Sequence, residues 1–487
     1  MISRRRFLKG GGAVVAGAAI GSGLLHPALT GVAAAADLDP ATIPKFALKM
    51  PIPPVAKPWA ENTMARWFSL TMEETAVEVI PGKLTKVRTF DKSFPGPTIR
   101  AKRGQRVEIQ QTNKLTVPTS VHLHGGHVSE GNDGGPMDTL APGGGSKIYQ
   151  YPNGQPHASL WYHDHAHHYE SENVYRGLTG TYLLTDPLEN VLGLPSGAYD
   201  VPISLRDARF DENGQFVYQV EDFLNRNVIL ANGKAWPYFE VAARKYRLRL
   251  FNTANMRFFD LSLSDGSQFD LIGSDGGLLE APYKTSSIAI SPGERVDIVV
   301  DFSKYAVGTQ LELRNAPTAA PGGPGDLITK VLQFRVNRTE ADDSKVPAKL
   351  RTLPELPPAT VHRNIELSMD ETGSPDDKAY INGKVYDHDR IDTEVAYGST
   401  EIWTVTNTNQ IAPHNFHIHL VQFRVIERGG RPVTSGPESG LKDTVALMPG
   451  ESVKVQMTFD GFRGKYLYHC HIFDHAAAGM MANLRVV

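Results

Sequence analysis

His469-Cys470-His471-Ile472-Phe473-Asp474-His475 holds the only cysteine among the 487 residues of the chain. A lone cysteine has no disulfide partner within its own chain, so Cys470 is free for other chemistry. Two histidines flank it, His475 follows, and Met480 stands ten positions on. Thiolate, imidazole and a weak thioether are the ligand set of a blue-copper electron-transfer site. In an extended strand successive side chains point to opposite faces. Cys470 then faces one way and its two neighbours the other, so one tripeptide could join a one-electron copper to a second metal centre behind it.

Three further motifs offer that second centre: His122-Leu-His124-Gly, Trp161-Tyr-His163-Asp-His165 and His414-Asn-Phe-His417-Ile-His419. Ten of the 17 histidines fall into these four stretches. His-x-His on a strand puts both imidazoles on one face. A single such pair reads as a polar strand face; four clusters, one with the lone cysteine and a methionine, read as metal sites. His167 and His168 have no place in the set, and His127, His157, His362 and His388 read as surface or hydrogen-bonded residues.

The chain's length is that of two to four domains. Gly (45) and Pro (33) are abundant, as in turn-heavy all-β chains. The Lys and Arg are dispersed, which gives no nucleic-acid footprint. Ser3-Arg4-Arg5-Arg6-Phe7-Leu8-Lys9 resembles a twin-arginine export signal. The apolar run from Gly10 to about Leu25 is short for a membrane span, and Ala33–Ala36 offers small-residue cleavage positions. Residues 1–36 are therefore expected to be a signal peptide, recognised by the twin-arginine translocase. Its removal takes the net charge from −3 to −7 and leaves no stable membrane insertion. The product belongs in the periplasm, the cell envelope or outside the cell.

Beyond residue 36, short β-branched or aromatic runs alternate with Gly/Pro/Asn/Asp turns, the pattern of stacked β-sandwiches. Arg106–Gln111, Tyr246–Phe251, Arg295–Phe302, Glu401–Thr406 and Ser452–Phe459 are examples. A repeat is visible. Pro142-Gly-Gly-Gly-Ser-Lys147 precedes Trp161–His165, and Pro449-Gly-Glu-Ser-Val-Lys454 precedes Leu467–His471. Pro292-Gly-Glu-Arg-Val-Asp297 precedes Leu311–Asn315, which has no ligands. Three sandwich units are expected, at 45–190, 195–340 and 360–487, the middle one free of metal. A Pro-rich, charged linker at about 337–360 leads into the last.

The four motifs in this order resemble the multicopper oxidases, and most of all the three-domain bacterial laccases of the spore-coat, bilirubin-oxidase and phenoxazinone-synthase type. Supporting segments include Tyr175-Arg-Gly-Leu178, Asn232–Tyr238 and Gly273–Gly277. The resemblance implies an all-β fold of three consecutive cupredoxin-like Greek-key sandwiches and four coppers per chain. By it, His414, Cys470 and His475 with axial Met480 hold a type 1 copper. His122 and His417 hold a type 2 copper, and His124, His163, His165, His419, His469 and His471 a type 3 pair. Small aromatic reductants, phenols or aryl amines, would donate electrons near His475, and O2 would be reduced to water at the trinuclear site. Asp133 is the candidate proton donor, or the residue that orients a ligand from behind. Ala476 stands where several bacterial relatives have an acid directly after the second blue-copper histidine; Asp474 is the remaining acid nearby and the other candidate. The alternative reading is an envelope metallo-oxidase that oxidises Cu(I). It is weakened by a chain with only 11 methionines and no cluster of them.

Overall fold

The computed structural model describes residues 35–316, 328–374 and 376–487. The expected signal segment 1–36 and its cleavage stretch lie outside them, apart from the last two residues. Among the described residues no helix is long and apolar enough to cross a membrane.

The β-branched runs form strands at Arg106–Asn113, Lys245–Asn252, Arg295–Asp301, Thr400–Asn407 and Ser452–Thr458. Ser452–Thr458 alternates strictly between half-buried and buried residues, as a strand with one face on a core must. Phe302 is not in the strand expected for it. The Asp301 side chain accepts from Ser303 N and turns the chain into a 3-10 helix.

Six sheets enclose three apolar cores. The first core includes Phe68, Ile109 and Tyr182, the second Ile203, Leu248 and Phe334, the third Trp403, Phe416 and Tyr468. One parallel pairing recurs in each unit: Ala65–Ile80 with Arg106–Asn113, Asp200–Ala208 with Lys245–Asn252, and Val361–Met369 with Thr400–Asn407. The facing sheets repeat a second: Gly96–Lys102 with Thr179–Thr185, Tyr238–Ala242 with Lys330–Arg338, and Thr393–Val395 with Met481–Val486. Parallel neighbours cannot be joined by a tight hairpin, so each connection crosses over. This threefold recurrence gives three consecutive cupredoxin-like Greek-key sandwiches. Residues 339–360 contain neither strand nor helix.

A smaller cluster of Trp161, Val174, Leu183, Phe251 and Phe473 draws on all three units. It places the end of strand Ala158–Asp164 against the short helix Phe473–Ala477, and both carry histidines of the candidate site.

Candidate metal centre

Strand pairing brings the histidines together two by two. His122 opposes His163 across Val121–His124 and Ala158–Asp164, and His417 opposes His469 across His414–Ile418 and Gly464–His469. The first and third units then meet face to face. His122 stacks on His419 and His124 on His417, with ring centroids 3.8 Å apart in each case. His165, His419, Cys470 and His471 lie just past their strand ends, yet the alternation persists. His469 Nε2 lies 3.2 Å from His419 Nε2, and His471 Nε2 lies 3.0 Å from His124 Nδ1. Cys470 points the other way, its Sγ 3.7 Å from His475 Nδ1 and 4.0 Å from His414 Nδ1. Those two ring nitrogens are 3.0 Å apart. Met480 is fully buried in the same apolar cluster as Cys470. Its carbonyl accepts from Cys470 N, while Met481 opens the next strand.

The proton positions fit a metal. His122, His417 and His163 each donate from Nδ1 to a backbone carbonyl (Asp133 at 2.7 Å, Asp443 at 2.8 Å, Asp164 at 2.8 Å). His469 Nδ1 does the same to Cys470 O, and His419 Nδ1 donates to Asp133 Oδ2 at 2.7 Å. With Nδ1 protonated, each Nε2 lone pair is turned into the cluster, the arrangement that outer partners impose on metal-bound histidine. The Nε2 atoms of His122, His163 and His417 are buried without any hydrogen-bond partner. His124 is turned round: its Nε2 bonds Asp443 Oδ1 at 2.9 Å, and Nδ1 faces inward. His414 bonds Asn409 Oδ1 through Nε2 at 2.8 Å, which frees Nδ1 toward Cys470.

Burial keeps these rings neutral. It pushes His414 down to about 2, His475 to about 3 and His419 to about 4, and holds His124, His163, His165, His417, His469 and His471 well below the ordinary value. Burial also pushes the Cys470 thiol up to about 12, so a thiolate there needs a cation beside it. Neutral imidazoles with converging lone pairs and one buried sulfur suit copper.

Some supporting residues escaped the sequence. Asn415, between two candidate ligands, accepts at Oδ1 from the Cys470 thiol at 3.4 Å and from His471 N at 2.6 Å. Its amide donates to Pro292 O at 2.7 Å in the middle unit. The same turn of the middle unit crowds the cluster. A Cβ on Gly293 would stand 2.8 Å from His471 Cγ, and its φ of +88° is left-handed. Gly293→Ala is therefore expected to displace His471 and lower metal occupancy of the histidine cluster, as read by copper per chain and paramagnetic resonance. The visible absorption from the cysteine site should persist.

Asp133 is buried at the cluster, on His419 and His122. Asp474 has another setting. It sits on the helix Phe473–Ala477 and pairs with fully buried Arg226 at 3.1 Å. It also accepts from Ser171 Oγ and Glu221 N. One oxygen is held by Arg226 and Glu221 N of the middle unit and the other by Ser171 of the first, and neither bonds the histidine cluster. His167 and His168 stack on each other at 3.7 Å, outside the cluster. His157, expected at the surface or in a hydrogen bond, is buried on Asp186 at 2.9 Å.

Known proteins give this arrangement a family. Profiles described as multicopper oxidase match residues 71–189, 161–311 and 358–487. The chain is 34% identical to a laccase of Bacillus subtilis, over 90% of this chain and 98% of that protein. It is 38% identical to a bilirubin oxidase of Albifimbria verrucaria, over 90% and 81%. A laccase structure from Pediococcus acidilactici superposes with a TM-score of 0.83 at 29% identity, covering 91% of this chain and 95% of that one. A Campylobacter jejuni structure described as a metallo-oxidase gives 0.82 at 27%, covering 93% and 98%. The chain belongs to the multicopper oxidase family. It is a laccase-like copper oxidoreductase, and a twin-arginine signal profile over residues 1–21 marks it for export to the periplasm or envelope.

Proposed function

We propose that His414, Cys470 and His475, with Met480 as a further weak donor, would hold a type 1 copper, that His122 and His417 would hold a type 2 copper, and that His124, His163, His165, His419, His469 and His471 would hold a type 3 pair. The donors are small phenols or aryl amines, the acceptor O2. When bound, copper supplies one-electron transfer at the first site and four-electron reduction of O2 to water at the other three. What carries the reading is the Cys470 tripeptide, whose sulfur faces one histidine pair while His469 and His471 join the other cluster.

The chain's own residues prepare both sites. Asn415 orients Cys470 and His471 together. Asp133 holds the Nδ1 proton of His419. Burial would raise its carboxyl, but the facing His419 and His122 outweigh this and hold it well below the usual range. It thus stays a charged acceptor. Asp133→Asn keeps the shape and removes the charge. We expect it to retain copper and lose about 10–100-fold in kcat, the usual effect of losing an outer partner of a ligand. Unchanged kcat would remove Asp133 from the proposed machinery.

Relatives named laccase and bilirubin oxidase favour aromatic donors. One observation supports oxidation of a metal cation as a second reading: the Glu221 carboxyl, an oxygen donor that burial and Asp474 push up to about 8, stands with Oε1 3.7 Å from His475 Nε2. A kcat/KM panel over phenols, o-aminophenols, bilirubin and Cu(I), on copper-loaded protein, separates the two. Aromatic donors should lead; a clear preference for Cu(I) would replace the first reading with the second.

A further inference from the structure

Glu170 opens the helix Glu170–Arg176 and is 1% exposed, and neither of its carboxyl oxygens has a hydrogen-bond partner. Leaving an acid dry and unpaired is unfavourable, so such a group invites a role. Its setting points to one. On one side its own N–H donates to Ala166 O at 2.9 Å, next to His165, and it feels the charge of Asp164, the residue between His163 and His165, which is pinned by Ser120 N at 2.8 Å and Asn173 Nδ2 at 2.9 Å. On the other side His167, on the turn before the helix, meets the Tyr386 ring edge to face with centroids 5.2 Å apart, and Tyr386 feels the Glu170 charge. Tyr386 lines a cavity of about 520 Å³ together with Asp133, Asp138, Lys465 and Tyr466. This cavity lies beside the histidine cluster and excludes His475. Two backbone links hold its wall to the site: His167 N donates to Pro136 O at 3.0 Å, and Tyr386 N to Gly479 O at 2.9 Å.

We propose that Glu170 is a proton-holding residue for the oxygen-reducing cluster, loaded from this cavity past Tyr386 and discharging toward the side of the cluster that Asp164 borders. The inference rests on the oxidase reading. Reduction of one O2 to two waters takes four electrons from the donor and four protons. At each use the Glu170 O–H bond breaks, its proton leaves toward the cluster, and the carboxylate is reprotonated by water in the cavity. Burial pushes Glu170 up to about 8, with Asp164 adding to the shift. The backbone N–H groups of Glu170, Tyr169 and His168 oppose it without meeting full hydrogen-bond geometry. Both protonation states are therefore within reach near neutral pH, as a proton carrier requires. Other ionisable groups here are Glu172 and Arg176 on the same helix, Arg88 on the strand packed against it, His167 and His168 on the preceding turn, Asp474 on the neighbouring helix, tied to Arg226, and Asp387 and His388 beyond Tyr386.

The test uses Glu170→Gln, which keeps size and removes the exchangeable acid, and Glu170→Asp, which restores an acid. In copper-free wild type, infrared difference spectra should show a protonated-carboxyl band that titrates between about pH 7 and 9 and is missing from Glu170→Gln. In copper-loaded protein, reduction by a phenol without O2 should be unchanged. Reoxidation by O2 should slow at least about 100-fold with a larger solvent isotope effect, the lower edge of the usual proton-transfer contribution. Glu170→Asp should recover part of it. Absence of the band from wild type, or reoxidation unchanged in Glu170→Gln, overturns the proposal. Wild-type copper protein that does not consume O2 overturns the oxidase reading instead, and the copper-free titration still reports on Glu170.

Discussion

Replacing Cys470 by serine should abolish both the intense visible absorption and the turnover of the copper-loaded protein while leaving the fold in place. The sulfur is fully buried and faces His475 Nδ1 at 3.7 Å and His414 Nδ1 at 4.0 Å. Charge transfer from thiolate to copper gives blue sites their colour, and a hydroxyl is neither soft nor readily ionised. Loss of a ligand should exceed the about 10–100-fold effect of losing an outer partner, so activity should fall below that range. The fold has less at stake. Serine is nearly isosteric, and Asn415 Oδ1 already accepts from the thiol, so the buried hydroxyl has a partner. The penalty should stay within about 1–3 kcal/mol. His469 keeps its Nδ1 bond to Cys470 O and His471 its backbone bond to Asn415 Oδ1, so the histidine cluster should still take up copper. Chain-to-copper stoichiometry, visible spectra and oxygen uptake together check this. Retained oxidase activity without the thiolate would contradict the division of the motif into two sites.

The ligand motifs were legible in the sequence because each encodes its own geometry. His122 and His124 share a strand face, and Cys470 alternates with its neighbours, so spacing alone predicts which side chains converge. The sandwiches were legible for the same reason, through period-two runs and the threefold Pro-Gly repeat. The supporting residues were not. Asp443 and Arg295 are 148 positions apart in the chain and meet only through the docking of two units. The turn Pro292–Arg295 reads as a copy of the scaffold that has lost its ligands. In the structure it presses Gly293 on His471 and anchors Asn415. The unit without metal ligands is a buttress for the cluster. Asp474, next to His475 in sequence, takes its direction from Arg226 and Ser171, both distant in sequence.

Arg295→Gln is the sharpest probe of that buttress, and its expected result is loss of cluster copper with the cysteine site kept. Arg295 is fully buried and grips Asp443 through two bonds, Nη1 to Oδ1 at 2.6 Å and Nη2 to Oδ2 at 2.7 Å. Its other donors reach Ser159 O, Gly293 O and Asp275 O, tying the first, second and third units together. Asp443 passes the support on. Its Oδ1 accepts from His124 Nε2 at 2.9 Å and its carbonyl from His417 Nδ1 at 2.8 Å, one ring from each side of the stacked pair. Without the guanidinium the buried Asp443 carboxylate loses its cation and keeps only the neutral donors His124 Nε2 and Thr444 Oγ1, a change that typically lowers stability by about 3–5 kcal/mol. The strain falls on the two histidines that Asp443 orients. His414, Cys470 and His475 touch neither residue, so the visible absorption should survive while the paramagnetic signal and copper count of the cluster fall. A second substitution separates electrostatics from packing. In Arg295→Gln with Asp443→Asn neither partner is charged, and buried Asp275 keeps its Lys442, so stability should recover part of the loss and the two changes should be strongly non-additive. Copper occupancy should not recover, because a neutral amide cannot reproduce the charged acceptor behind His124. Additive effects on stability, or full cluster copper in the single variant, would show that the middle unit supports the fold without positioning the site.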